Sequence, residues 1–510
     1  MLSKAFGSVT IGTEAVKVEI EIDISPGLPG FYIGGLAESS VKESRERVKA
    51  AIKNSGYNFP TQKITANLAP ADIKKEGTGL DLPIALAVLC ASNVIQQDSL
   101  SKYIVCGELS LDGSIRSTRG VLPIALLTKK ERLKGIICPK DNAKEAAVVR
   151  GIDVIYASHL TEIVGFFQGI NKIIPLSLDV EELFKSSNRE KLNFADVIGQ
   201  ESAKRALEVA AAGGHNVLMI GPPGSGKTML AQRLPTILPP LSFEEALETS
   251  AIYSVAGLLP SKMPLITQRP FCAPHHTISD AGMIGGGTFP RPGQVSLAHN
   301  GVLFLDELPE FKKNVLESLR QPLEDGFVTI CRASTTLKFP SRFTLIAAQN
   351  PCPCGFFGEE GKSCSCTPSQ IHRYRTKVSG PLLDRIDIQI EVPAIAYKEL
   401  SGNRVGESSE EIKKRVIKAR NIQYKRFQNL KIFSNAQMSV KEINRFCKLN
   451  KQAKNILEKT CTHLKLSARA YHRILKIART IADLEDSSQI DQVHILEAVQ
   501  YRGLDRRASI

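Results

Sequence analysis

Gly221-Pro222-Pro223-Gly224-Ser225-Gly226-Lys227-Thr228 is the stretch that decides the fold of this 510-residue chain. It follows Asn216-Val217-Leu218-Met219-Ile220, an apolar run that reads as a buried parallel strand, and precedes Met229-Leu230-Ala231-Gln232-Arg233-Leu234, which reads as a helix. Strand, glycine loop and helix in that order make a P-loop, a cradle for a nucleoside triphosphate such as ATP. The glycines let backbone N–H groups turn inward around phosphate oxygens, and the helix N-terminus adds partial positive charge. Lys227 is expected to reach the β- and γ-phosphates, and the Thr228 hydroxyl to coordinate Mg2+. The bland alternative is a glycine-rich turn with an incidental lysine, against which the flanking strand and helix weigh.

A P-loop needs a second strand carrying acids, and Gly301-Val302-Leu303-Phe304-Leu305-Asp306-Glu307 supplies one. Asp306 is placed to hold the Mg2+ shell and Glu307 to polarise the attacking water as general base. Read alone, the two carboxylates could instead cap the next helix. A third strand, Phe343-Thr344-Leu345-Ile346-Ala347-Ala348, ends at Gln349-Asn350, where the Asn350 amide can orient water and feel the γ-phosphate. Farther on, Leu382-Leu383-Asp384-Arg385-Ile386-Asp387 precedes the strand Ile388-Gln389-Ile390-Glu391-Val392. Arg385 among aspartates is either a local ion pair of little worth or an arginine finger offered to a neighbouring subunit's nucleotide.

These four pieces in this order resemble the AAA+ ATPases, and within them the branch of magnesium-chelatase ATPase subunits and MCM helicases. The resemblance implies that Arg385 acts in trans, and that Ser467-Ala468-Arg469-Ala470-Tyr471 opens a lid helix whose Arg469 swings onto the nucleotide as sensor 2. Arg473, one turn later, competes for that role. Asp196-Val197-Ile198-Gly199-Gln200, Ala210-Ala211-Ala212-Gly213-Gly214-His215-Asn216, Ala273-Pro274-His275-His276-Thr277 and Asn350-Pro351-Cys352-Pro353-Cys354-Gly355 narrow the likeness further. They resemble the YifB/ComM family of magnesium-chelatase-like ATPases. That family implies ATP and Mg2+ as cofactors, a hexameric homo-oligomeric ring, and single-stranded or branched DNA as partner. The activity it implies is helicase-driven branch migration during recombination of DNA taken up in natural transformation.

Composition sets the frame around this motor. The length suits about three domains, and 43% hydrophobic with 23% charged residues is ordinary for a globular protein. No apolar run approaches the ~20 residues of a membrane span, and Met1-Leu2-Ser3-Lys4-Ala5-Phe6 lacks a signal core. Eleven cysteines without a signal peptide point to a reducing cytoplasm, with thiols or metal ligands rather than disulfides. The net charge of +14 is concentrated: residues 411–510 hold 22 Lys and Arg against nine Asp and Glu. That excess reads as a phosphate-backbone contact surface, with a solvated helical face as the alternative.

The fold class expected is α/β in three parts. Residues 1–170 read as an α/β domain, with a half-exposed strand at Val16–Ile22 and helices at Ser40–Lys53 and Leu82–Ala91. Gly107-Glu108-Leu109-Ser110-Leu111-Asp112-Gly113 resembles the strand and turn of Lon-type protease domains, and alignment puts Gly79 and Leu122 at the nucleophile and lysine positions. A Ser–Lys dyad needs both groups, so this Lon-protease-like domain is read as catalytically dead; a dyad rearranged onto Ser114, Ser117, Lys129 or Lys130 is the alternative. Residues 171–192 read as a polar linker, 193–395 as the AAA+ parallel-sheet core, and 396–510 as an α-helical lid and basic C-terminal domain.

Two segments of the core read as pore elements. Residues 243–300 read as one long insertion with a flexible glycine tip at Gly285-Gly286-Gly287, and Phe327–Phe339 as a hairpin offering Arg332 and Lys338 to phosphates. Cys352, Cys354, Cys364 and Cys366 form two C-x-C pairs around a glycine-bearing loop, suited to a structural Zn2+, with free thiols or a redox-sensitive pair as the alternative. His275 and His276 are left to solvent or backbone. Against the DNA motor stand two other readings, a chelatase-type ATPase that remodels a protein partner and an ATP-dependent unfoldase.

Overall fold

The computed structural model describes residues 1–36, 39–75, 77–186, 192–260, 262–287, 290–332, 335–359, 362–394, 406–430, 432–464 and 466–502. Part of the expected linker, the tip of the 327–340 hairpin with the Arg332 side chain, the start of the helical region and the last eight residues lie outside them.

The first part of the chain builds a mixed seven-stranded sheet. Its order is Gly30–Gly34, Lys63–Ala69, Glu14–Ser25, Leu2–Ile11, Tyr103–Val105, Gly135–Pro139, Asp153–Ala157. Alternation along Glu14–Ser25 turns Val18, Ile20 and Ile22 inward, as a strand with one wet face requires. The helix Asp81–Ala91 is buried on every residue. Leu122 is also wholly buried, its backbone N–H donating to Glu145 Oε1 at 2.9 Å. Ser114 Oγ donates to Asp112 at 2.9 Å.

The second sheet is all-parallel, in the order Phe271–Cys272, Val302–Leu305, Thr344–Gln349, Val217–Ile220, Ile388–Glu391. Register runs Val217↔Ile346 on one side of the P-loop strand and Val217↔Ile388 on the other. Strands this apolar need cover on both faces, which helices supply. Parallel order has a second consequence. Everything that follows a strand emerges on one edge of the sheet, and everything that precedes a strand lies on the other. The stretch 243–300 is not one insertion: it contributes the helix Phe243–Ala256 and the edge strand Phe271–Cys272 before the short hairpin Gly285–Gly286/Arg291–Pro292. Phe271–Cys272 is two residues long and leaves almost no periodicity to read. The hairpin Phe327–Arg332/Thr335–Pro340 forms as expected.

Helices Ser409–Phe427, Val440–Phe446, Lys451–Leu464, Ala468–Leu484 and Gln492–Gln500 complete the described chain. Ser408 starts the first with a capping box to Glu411, satisfying amides that have no partner inside the helix. Ile412, Val416 and Ala419, with Ile474, Ile477 and Ile481, join the helix Glu201–Gly213 and the central strands in one continuous core. Charged joints reinforce it. Arg415 meets Glu208 at 2.5 Å, Arg205 meets Glu497 at 2.9 Å, and Arg426 and Arg479 share buried Asp483 at 2.7 and 3.1 Å. Arg415, Arg426 and Arg479 of the basic C-terminal region are thus committed to internal pairs. The exposed remainder includes Lys441, Arg445, Lys448, Lys451, Lys454 and Lys459. Among the described residues no helix is long and apolar enough to cross a membrane.

At the rear edge of the parallel sheet, Asp387 is buried with His215 Nδ1 at 3.4 Å and Arg473 Nε at 3.5 Å. Burial alone would raise its carboxyl, but His215, Arg473 and Lys476 outweigh burial and hold it at about 2. Folding thus lowers it from about 3.9, so its stabilisation is complete above about pH 4 and is lost as pH falls through 2. Asp387→Asn should cost about 2–3 kcal/mol at neutral pH and flatten the acid limb between pH 4 and 2, read by denaturant melts across pH.

Candidate nucleotide site

The loop after Val217–Ile220 has the backbone that phosphate binding asks for. Gly224 and Gly226 sit at φ +77° and +89°, the left-handed region where glycine is unstrained. A Cβ on Gly221 would lie 2.0 Å from Val392 O, so only glycine lets the edge strand close against the loop. Lys227 Nζ donates to Gly221 O at 2.7 Å and Pro222 O at 2.8 Å and lies 3.4 Å from Asn350 Oδ1. Burial pushes this amine below its ordinary range, and Asp306 acts in the opposite sense.

Thr228 Oγ1 donates to Asp306 Oδ2 at 2.7 Å. Asp306 Oδ1 accepts from Glu307 N at 2.9 Å. Glu307 itself is held at φ +52°, a left-handed conformation uncommon for a residue with a Cβ. The sheet thus gathers the P-loop, Asp306, Glu307 and Asn350 on its front edge. The hydroxyl–carboxylate pair beside a nest of amides and a lysine suits a triphosphate with Mg2+; Thr228 and Asp306 would hold the ion, which would neutralise phosphate charge.

Two features went unread in the sequence. His276 Nδ1 stands 3.3 Å from Glu307 Oε2, its ring 4.1 Å from His275 and edge-on to Phe311. Assigning His275 and His276 to solvent or backbone was wrong for His276. The missing signal was the strand Phe271–Cys272: once it joins the sheet, the residues after it must emerge beside Asp306 and Glu307. A cavity of about 90 Å3 is lined by Val197, Ile198, Gln200, Met229 and Leu230 beside the P-loop. Its apolar walls suit a base, and Arg233 fixes its rim by donating to Asn193 O at 2.7 Å and Asp196 at 2.9 Å.

The arginines lie elsewhere. Arg385 precedes Ile388–Glu391 and Asp387 N donates to Asn216 O at 3.1 Å, just before the P-loop strand. Both therefore lie at the opposite end of the strands from Lys227. The Arg385 side chain is 10% exposed, paired with Glu324 and donating to Pro381 O at 2.6 Å. Its Nε is buried and has no hydrogen-bond partner among the described residues. Arg469 is 68% exposed and lies 3.4 Å from Asp384; Arg473 donates to Ile386 O at 3.0 Å. In this chain Arg469 faces Asp384, on a helix packed into the core at the rear edge.

Cys352, Cys354, Cys364 and Cys366 converge as well, their sulfur atoms all within 4.8 Å of one another.

Comparison with known proteins follows the same outline. Residues 193–400 match the family described as magnesium chelatase, subunit ChlI; residues 20–142 match subunit ChlI of Mg-chelatase, and 406–502 its C-terminal part. Competence protein ComM of Haemophilus influenzae is 45% identical over 99% of this chain and 98% of its own length. The uncharacterised protein YifB of Escherichia coli is 46% identical over 99% and 98%. Lon protease 2 of Bacillus subtilis is 29% identical over 39% of this chain and 33% of its own.

Two substitutions separate the groups around Glu307. Glu307→Gln should lower ATP turnover by about 10²–10⁴-fold with binding of an ATP analogue retained. His276→Ala should lower kcat by up to about 10²-fold at unchanged KM, because His276 touches Glu307 and not the phosphate cradle. Steady-state ATPase kinetics read both.

Proposed function

The chain belongs to the family of magnesium-chelatase-like AAA+ ATPases that contains ComM and YifB, and from that premise we propose that it is a ring-forming DNA translocase promoting branch migration during recombination. The observation that carries the ring is the division of the sheet between its two edges. Lys227, Thr228, Asp306, Glu307 and Asn350 stand on the front edge, with Arg385 and Arg469 on the rear. A finger on the rear edge serves a nucleotide held by the next copy, so each ATP is gripped by one subunit and completed by another. Closed rings, hexameric here, are the assembly that repeats such a head-to-tail contact.

In this reading Lys227 and the P-loop amides hold the triphosphate, Thr228 and Asp306 hold its Mg2+, Glu307 takes the proton of the attacking water, and Asn350 orients that water. Arg385 from the neighbouring copy meets the charge that develops on the γ-phosphate, a contribution worth about 10³–10⁵ in rate. The exposed lysines of Val440–Phe446 and Lys451–Leu464, together with the hairpins 285–292 and 327–340, are the elements offered to a DNA backbone. The relative in Haemophilus influenzae is named a competence protein, in keeping with work on incoming DNA in the cytoplasm. Gly79 and Leu122 leave the N-terminal domain without a protease dyad, which favours a motor over an ATP-dependent protease.

ATPase activity should rise several-fold with single-stranded or four-way-junction DNA, and DNA binding should fall steeply with salt as counterions are released. ATPase indifferent to single-stranded, duplex and branched DNA would contradict the DNA reading and turn attention to a protein substrate, as in chelatase-type remodelling.

A further inference from the structure

The four converging cysteines lie at a decisive point of the sheet. Cys352 follows Asn350 by two residues, and Cys366 immediately precedes Thr367, whose capping box starts the helix Pro368–Arg375. The loop they close therefore spans from the end of the Asn350 strand to the helix leading toward Arg385. The sulfur separations are 3.3 Å for Cys352–Cys354, 3.7 Å for Cys352–Cys364 and 3.5 Å for Cys354–Cys364. A disulfide would need ~2.05 Å, and all four are free thiols. Tetrahedral zinc with Zn–S near 2.3 Å places its sulfurs about 3.8 Å apart, close to what the chain has arranged. Cys354 N also donates to Cys366 Sγ at 3.4 Å, the kind of outer hydrogen bond that orients a thiolate ligand.

The same loop touches the nucleotide machinery. A Cβ on Gly355 would fall 2.5 Å from Pro223 Cδ, so the loop rests directly on the P-loop. Between Asn350 and Cys352, Pro351 O accepts from Arg375 Nε at 3.3 Å, and Arg375 lies over the Phe357 ring at 5.2 Å. Asn350 Oδ1 is already 3.4 Å from Lys227 Nζ. The backbone on either side of Asn350 is thus fixed by the sheet before it and by the cysteine loop after it.

We propose that Cys352, Cys354, Cys364 and Cys366 bind one zinc ion, and that this ion acts as a splint holding Asn350 against the P-loop. The splint rests on the reading of Asn350 as the group that senses the γ-phosphate. The cysteines are positioning residues: zinc fixes the loop, the loop fixes Asn350, and no cysteine touches the substrate. Without the ion the loop would be free to leave Pro223, loosening the amide while leaving Lys227 and the phosphate-binding amides in place.

Full-length protein purified without chelators is analysed for metal beside Cys366→His and the double variant Cys364→Ser/Cys366→Ser. Wild type and Cys366→His should carry about one zinc per chain and the double variant less than about a fifth. Cobalt exchanged into the wild type should show the visible absorption of a tetrahedral thiolate site, which keeps the site testable if the double variant folds poorly. The double variant should lose roughly tenfold or more in kcat with less than about twofold change in affinity for a fluorescent ATP analogue, and Cys366→His should keep wild-type turnover. Wild type with under a fifth of an equivalent of zinc and no cobalt spectrum would overturn the site. A zinc-free double variant at full kcat would overturn the splint. Protein that hydrolyses no ATP in any form would sink the reading of Asn350 and the splint with it, while metal content still decides the site independently.

Discussion

Five parallel strands fix which groups of this chain can act together. In a parallel sheet every strand delivers its following residue to one edge, so the apolar runs ending at Ile220, Leu305 and Gln349 bring the P-loop, the Asp306–Glu307 pair and Asn350 side by side. The same rule sends the residues before Ile388 to the opposite edge, and Arg385 with them. No side-chain rotation brings that guanidinium round the sheet to its own Lys227. On the proposed reading, Arg385 meets a nucleotide only when two copies stack front to rear.

The helical C-terminal part reinforces this division instead of relieving it. A lid that moved freely could carry Arg469 toward the phosphates, but Ala468–Leu484 shares a continuous apolar core with Glu201–Gly213 and the central strands. Its polar residues are similarly committed. Arg473 lies on Asp387 and Ile386, and Arg479 on Asp483. Breaking such buried pairs leaves uncompensated charge, which costs several kcal/mol. Arg469 and Arg385 therefore lie on one packed face, and the proposed ring would move at the contact between copies.

How much of this could be read in advance varied with how local the signal was. The P-loop, the Asp306–Glu307 strand and the Asn350 strand were legible because spacing alone carries their chemistry: glycines at the loop, acids after an apolar run. The lid helix was legible at its start, with Ser467 expected to open it and Ala468 its first helical residue. His276 was not, because its partner Glu307 is distant in sequence and the strand that aligns them has only two residues. The fate of the C-terminal arginines was hidden for a related reason. Composition counts charges but cannot tell a pair such as Arg426–Asp483 from a free cation. The position of Arg469 required strand order, which no local pattern encodes.

The contact between copies can be tested by mixing two inactive proteins. Lys227→Ala keeps its rear arginine but cannot hold the triphosphate, and Arg385→Ala keeps its P-loop but lacks the finger. If front and rear edges meet between subunits, an equimolar mixture should regain ATPase well above the sum of its parts, because random assembly makes roughly a quarter of its interfaces complete. Activity that stays at that sum, or full turnover by Arg385→Ala alone, would contradict a nucleotide shared between neighbours.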